Sequence, residues 1–190
     1  MIAFPSHDQL EVIQIHNGKM EEHAYKVWDH SNYSIVASDT KRYHVKIPMA
    51  KIGFDRSGVG DAAIELFDTA TLPMEPILTT NRQKTDMVNS IQMLLDMKLL
   101  KLARNSPVWE QMAAQEEKQS DTGLRQFPHG STPNDSLWAL GYAVYVGIPF
   151  VLGYDTPNLI IRGNDGFTST KYNMDDALDR LLGAIVTGKQ

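Results

Sequence analysis

Leu10-Glu-Val-Ile-Gln-Ile-His-Asn-Gly18, with the segment that follows it, Lys19-Met-Glu-Glu-His-Ala-Tyr-Lys-Val-Trp-Asp29, decides how the rest of the chain is read. The first piece alternates apolar and polar residues, is rich in β-branched side chains and ends in Asn-Gly, so it predicts a short strand running into a turn. The second carries Met20, His23, Ala24, Val27 and Trp28 at helical spacing and predicts a helix. Tyr33-Ser-Ile-Val-Ala-Ser38 then predicts a second strand. A strand-helix-strand opening of this kind is normally right-handed with parallel strands, which points to an open α/β sheet.

Working outward, Tyr43 to Ile52 predicts an edge strand or ribbon, since Pro48 excludes a central position. Asp61 to Phe67 predicts a short helix. Asn81 to Asp96 predicts a longer one, with Met87, Val88, Ile91, Leu94 and Leu95 on one stripe, and Met97 to Ala103 a third strand. Residues 104–133 exceed the usual loop length and mix an acidic, Gln-rich piece with Pro128-His-Gly-Ser-Thr-Pro133, so a loop insertion or lid is expected there. Beyond them come a helix over 136–146, strands over 148–153 and 158–162, and a closing helix over 174–186. The order predicts a single α/β domain over 1–190, with a mainly parallel five-stranded sheet flanked by helices, flavodoxin-like or Rossmann-like in outline.

Composition narrows the function. The 190 residues are 42% hydrophobic, enough to build one core. No cysteine is present, which excludes disulfides, thiolate catalysis and Cys-based zinc sites. A net charge of -5 gives no basic footprint, so a small-molecule substrate is expected and long nucleic acid is not. No apolar run is long enough to span a bilayer, and the first residues lack the pattern of a signal peptide; a cytoplasmic protein with no membrane partner is expected.

Asp135-Ser-Leu-Trp-Ala-Leu-Gly-Tyr-Ala-Val144, followed by Gly147-Ile-Pro149 and Asn158-Leu-Ile160, resembles the helix and following strands of nucleoside 2-deoxyribosyltransferases. The resemblance implies an enzyme that cleaves the N-glycosidic bond of a nucleoside by double displacement and passes the sugar to another base. It places Ala139 where the family carries its nucleophilic glutamate, so the chain reads as an inactivated Glu-to-Ala variant, a natural binding protein, or a case in which another carboxylate acts. It further implies that Asp86 lies near the base, and that Asp135 either replaces the family's upstream acid, where Pro133 stands, from a shifted position or marks different base contacts. Ser136 matches the family's hydroxyl, Trp138 or Tyr25 substitutes for the missing base-stacking aromatic, Ile160 belongs to the substrate-binding set, and Asn158 holds the sugar in a neighbouring subunit's site, hence a homo-oligomer with a shared active site. Hydrolysis of a nucleoside 5′-monophosphate is the neighbouring activity, and a nucleotide sensor the non-catalytic one. A carboxylate beneath the sugar captures the developing positive charge, and a raised-pKa carboxyl protonates the leaving base; no cofactor is implied.

Three further features bear on function. His16, Asn17 and Gly18 end the first strand, where ligands gather in open α/β sheets, although Asn-Gly is ordinary turn chemistry. Gly58-Val-Gly-Asp-Ala-Ala63 formally matches a dinucleotide fingerprint but reads better as a glycine loop. His16, His23 and His30 have no accompanying carboxylate set, so no metal site is expected.

Overall fold

The computed structural model describes residues 2–3, 7–29, 32–57, 61–120, 123, 125–128 and 133–151. Its centre is a six-stranded sheet in the order β5-β4-β1-β2-β3-β6. The strands are β1 (Ile2–Ala3), β2 (His7–His16), β3 (Lys19–Asp29), β4 (Ile52–Asp55), β5 (Met74–Ile77) and β6 (Leu100–Lys101). The first three form an antiparallel meander, while β4 runs parallel to β1, β5 to β4 and β6 to β3. The class is therefore α/β as expected, but the sheet is mixed and six-stranded, not a parallel five-stranded one.

The difference begins at Asn17-Gly18. Both residues have positive φ, 51° and 69°, and His16 pairs with Lys19 across a two-residue loop. That is the backbone a type I′ hairpin requires, and Asn-Gly is its strongest sequence signal. Lys19–Asp29 is thus β3, not a helix. Within it Met20, Glu22, Ala24, Lys26 and Trp28 are more buried than Glu21, His23, Tyr25 and Val27, a period of two. A bulge opposite Val12/Ile13, where His23 is the extra residue, switches faces partway along the strand. Met20 consequently packs with Ile91, Leu94 and Leu140, whereas Trp28 packs with Leu10, Val36 and Phe67 in the opposite layer. The sequence mimics helical spacing because Glu22 and Lys26 are polar on the more buried side, while Tyr25 and Val27 are apolar on the exposed one.

Tyr33 to Ser38 is likewise not a strand but the first half of α1 (Tyr33–Lys46), whose N-cap Asn32 accepts from the Ile35 amide at 3.0 Å. The expected ribbon over 43–52 is replaced by the end of that helix and the entry to β4. Helix α2 (Asp61–Thr69) falls where expected. So does α3 (Asn81–Asp96), set by a capping box between Thr80 and Gln83. Residues 104–133 contain α4 (Val108–Ala114) and a ribbon of β7 (Lys118–Gln119) with β8 (Arg125–Gln126). The last described element, α5 (Asp135–Val151), continues through Pro149, so the expected strand from 148 is helical up to Val151. The strand over 158–162 and the helix over 174–186 lie outside the described residues.

Helices α1 and α2 cover one face of the sheet; α3, α4 and α5 cover the other. Helix α5 is apolar nearly all round because it is enclosed by the sheet, α3 and α4.

Candidate functional site

Asp55 ends β4 and faces α5. Its neighbour Phe54 points to the opposite layer, where its ring lies 6.2 Å from that of Phe67. On the α5 side, a Cβ built on Gly53 meets Val146 Cγ1 at 2.9 Å, so the helix crosses directly over this strand. The Asp55 carboxylate is held from the loops that follow β4 and β5 and, through Thr79, from α5. Its Oδ1 accepts from the Ser57 amide at 2.8 Å and from Thr79 Oγ1 at 2.9 Å. Because the Thr79 proton is spent on Asp55, the Tyr142 hydroxyl donates to Thr79 Oγ1, at 2.5 Å. Burial, together with the nearby charge of Asp55, pushes the Tyr142 hydroxyl above the usual phenol range and keeps it a donor.

The amino end of α5 arrives at the same end of the sheet. Ser136 is buried and its Oγ donates to Gln9 Oε1 of β2 at 2.8 Å. It also accepts from Gln111 Nε2 of α4 at 2.9 Å, while Gln111 Oε1 takes the otherwise orphaned Leu137 amide at 3.0 Å. Gln9 pairs with Ala3, and Ile2 pairs with Phe54. Backbone register therefore lines up Asp55, the Ala3 position and Gln9 across three neighbouring strands, with Asp135 and Ser136 above them at the start of α5. Three cations rim this end: Arg56 follows Asp55, and Arg82 and Lys84 sit in the first turn of α3. The Lys84 ammonium lies 5.0 Å from the Trp138 ring centroid.

The structure separates the other sequence-predicted residues. Asp135 and Ser136 belong to the end just described. His16, Asn17 and Gly18 lie at the opposite end, where a Cβ on Gly18 is 3.8 Å from the Val151 carbonyl oxygen. Asp86 sits on the middle of α3, its carbonyl accepting from Ser90 Oγ at 2.7 Å. Trp138 packs edge-on against Phe127, 5.8 Å between centroids, in a cluster with Met87 and Tyr142. Ala139 belongs to that cluster and is 0% exposed, so a longer side chain there enters packed core. Asn158 and Ile160 lie outside the described residues. Sequence reading missed Asp55, Thr79, Tyr142 and Gln9. An acid directly at the end of a strand, followed by a glycine loop and a helix, was the available signal.

A carboxyl pair of a different kind lies beneath α5. Glu11 is buried in β2, and burial, reinforced by the negative charge of Glu22, pushes its pKa up to about 9. Glu22 Oε2 accepts from the Ala103 amide at 2.8 Å, which anchors the loop after β6.

No family model matches the chain, and no curated protein matches it in sequence. Solved structures do match its fold. The large terminase nuclease of thermophilic phage G20c with bound magnesium superposes with a TM-score of 0.66 at 15% identity, over 75% of this chain and 77% of that one. The nuclease domain of the Thermus phage P74-26 large terminase matches with a TM-score of 0.59 at 11% identity, over 89% and 87%. The HK97 bacteriophage large terminase matches with a TM-score of 0.62 at 12% identity, over 74% of this chain and 36% of that one. The chain thus has a terminase-nuclease-like α/β fold. This overturns the deoxyribosyltransferase resemblance and the nucleoside transfer, nucleotide hydrolysis and nucleotide-sensor readings drawn from it. The roles it lent to Ala139, Asp86, Trp138, Asn158 and Ile160, and the shared-site homo-oligomer, lose their basis with it. The exclusion of long nucleic acid as a partner is corrected too, because the matching structures are nucleases.

Proposed function

We propose that the chain is a nuclease domain acting on DNA, with its active site at the end of the sheet that carries Asp55 and lies under the Asp135 start of α5. The observation that carries this reading is the fixed Asp55 carboxylate, oriented by Ser57, Thr79 and Tyr142, in a fold shared with terminase nucleases. The whole of 1–190 is read as one domain, with 104–133 as a segment bordering α3 and α5.

A divalent cation suits this end chemically. Asp55 and Asp135 are hard oxygen donors, and among the described residues no cluster of three or more His, Cys, Asp or Glu side chains forms. Carboxylates of this kind would suit a cation of the magnesium type, which binds through one or two of them and leaves its remaining positions to water and substrate phosphate. When bound, the cation supplies Lewis-acid polarisation of a phosphoryl oxygen. The chain's own residues do the rest. Thr79 and Tyr142 hold Asp55 in one rotamer, the Gln111-Ser136-Gln9 chain fixes the start of α5, and Arg56, Arg82 and Lys84 offer positive charge to the phosphate backbone. In the reaction, water adds to phosphorus and one P–O ester bond breaks, leaving a phosphate monoester and a hydroxyl.

The basic rim is local while the chain is acidic overall, so binding is expected to be weak, with the modest salt dependence of a few phosphate contacts. Supercoiled plasmid incubated with the protein and Mg²⁺ or Mn²⁺ is expected to be nicked, and chelation is expected to stop it. A folded protein that neither binds nor nicks DNA at any divalent-ion concentration would refute the proposal.

A further inference from the structure

Helix α4 has 7 residues, too few to be stable alone, so its place comes from what it touches. Val108 packs in the layer under α5 with Leu137, Leu140 and Val144, and its amide donates to Ser106 Oγ at 3.3 Å. Ahead of the helix, Ala103 ties three groups together. Its carbonyl accepts from the Trp109 indole at 2.9 Å and from the Ser106 amide at 3.1 Å, while its amide donates to Glu22 Oε2 at 2.8 Å. Farther along, Gln111 joins α4 to α5. The Leu137 amide can only donate, so Gln111 turns Oε1 towards it and Nε2 towards Ser136, whose proton then goes to Gln9.

The two ends of this path return to one strand. Glu22 stands on β3 opposite Ile13, and its charge helps to keep the buried Glu11 of β2 protonated. Gln9 and Glu11 are two positions apart and therefore on the same face of β2. Glu22 Oε1 is shielded from solvent, a cost that an apolar residue in the strand would not carry. What the carboxylate secures in return is Ala103. We infer that Glu22 is a positioning residue for the active-site end: by fixing Ala103 it seats α4, and α4 through Gln111 sets the start of α5, which carries Asp135. The Leu137 amide is one of the amides at a helix amino end that find no acceptor within the helix, and Gln111 supplies its acceptor. A shift of α4 therefore releases that amide and loosens Ser136. The effect on DNA cleavage rests on the nuclease reading; the effect on Leu137 does not.

The test is hydrogen exchange at the Leu137 amide, with Val144 in the middle of α5 as the internal reference. Glu22→Met keeps the length of the side chain and removes the acceptor, whereas Glu22→Gln keeps a carbonyl for Ala103. Exchange at Leu137 is expected to be about tenfold faster in Glu22→Met and within about twofold of the parent in Glu22→Gln, with Val144 unchanged in both. Trp109→Phe, at an exposed position, removes the indole donor to Ala103 and is expected to speed exchange at Leu137 by about threefold. Gln111→Met is expected to give about a thirtyfold increase, and its combination with Glu22→Met no more than that, because Glu22 acts through Gln111. In the plasmid assay Glu22→Met is expected to lower kcat by about fivefold with KM within about twofold of the parent. Unchanged exchange at Leu137 in folded Glu22→Met would overturn the inference, and Trp109→Phe decides in the same way if Glu22→Met does not fold. So would effects that multiply in the double variant, or an equal acceleration at Val144, which marks a general loss of stability. Nicking that is unaltered in Glu22→Met while Leu137 is released overturns the link to the active site. A parent that does not nick DNA refutes the nuclease reading instead, and exchange then decides the seating of α4 by itself.

Discussion

At its amino end α5 carries Asp135 and ties Ser136 and the Leu137 amide to Gln9 and Gln111 by hydrogen bonds between polar side chains or to a helix amide. At its carboxyl end the same helix meets the sheet through Gly147, where a Cβ would lie 2.9 Å from Met20 Cε and 3.3 Å from Ile15 Cδ1. Between the two, Ala139 and Leu140 are fully enclosed. One end fixes directions and places charge, and the other sets how closely helix and sheet approach. Substitutions at the polar end should change chemistry with modest loss of stability, and those farther along the helix should do the reverse.

The sharpest way to break this contrast is Ala139→Glu. A carboxylate placed at a fully enclosed position without a partner is expected to cost roughly 3–5 kcal/mol and lower the melting temperature by about 10 °C, with no deoxyribosyl transfer gained. Thermal unfolding with a nucleoside-exchange assay on the same preparation reads both outcomes. Glu11 gives the next largest effect. Its folded pKa of about 9 stands above the ordinary 4.5, so the folded state holds a proton that the unfolded chain releases between those values. Stability is therefore expected to be greatest below about pH 4.5 as far as this group is concerned, to fall as pH rises towards 9 and to level off above it. Glu11→Gln should flatten that slope and raise stability at pH 8 by on the order of a few kcal/mol, measured by urea unfolding across pH.

Gly147→Ala tests the close approach at the carboxyl end. The Met20 methyl is the flexible end of a side chain and can move, so a loss of about 1–2 kcal/mol is expected, with DNA cleavage per folded molecule unchanged. Ser136→Ala is the smallest stability change of the four. It removes the link between Gln9 and Gln111 at a loss of about 1 kcal/mol, but cleavage should fall more than stability does because the start of α5 loses its anchor.

What was legible in the sequence follows the same division. Helix α3 was readable because its stripe and its Thr80–Gln83 capping box are local, and α2 because its short periodic run is local too. The Asn17-Gly18 turn is legible, yet the segment after it reads as a helix because Glu22 and Lys26 put polar residues on the more buried side of the strand and Tyr25 and Val27 put apolar ones on the exposed side. Tyr33 to Ser38, rich in β-branched and aromatic residues, looked like a strand, and only the Asn32 cap spoke for a helix. The Asp135 end of α5 is legible as a helix start, whereas the surroundings of Ala139 come from Phe127 and Met87 and leave no trace in neighbouring sequence. Asp55 escaped because what marks it is assembled from Thr79 and Tyr142, 24 and 87 positions away respectively.

The most direct test of the account is the rate of divalent-ion-dependent plasmid nicking by the unmodified protein beside Asp55→Asn and Asp135→Asn, with melting curves for all three. The account predicts that each substitution reduces nicking by about a hundredfold or more while the melting temperature stays within about 3 °C of the parent. Nicking that survives both substitutions in folded protein would contradict the placement of the active site at this end of the sheet.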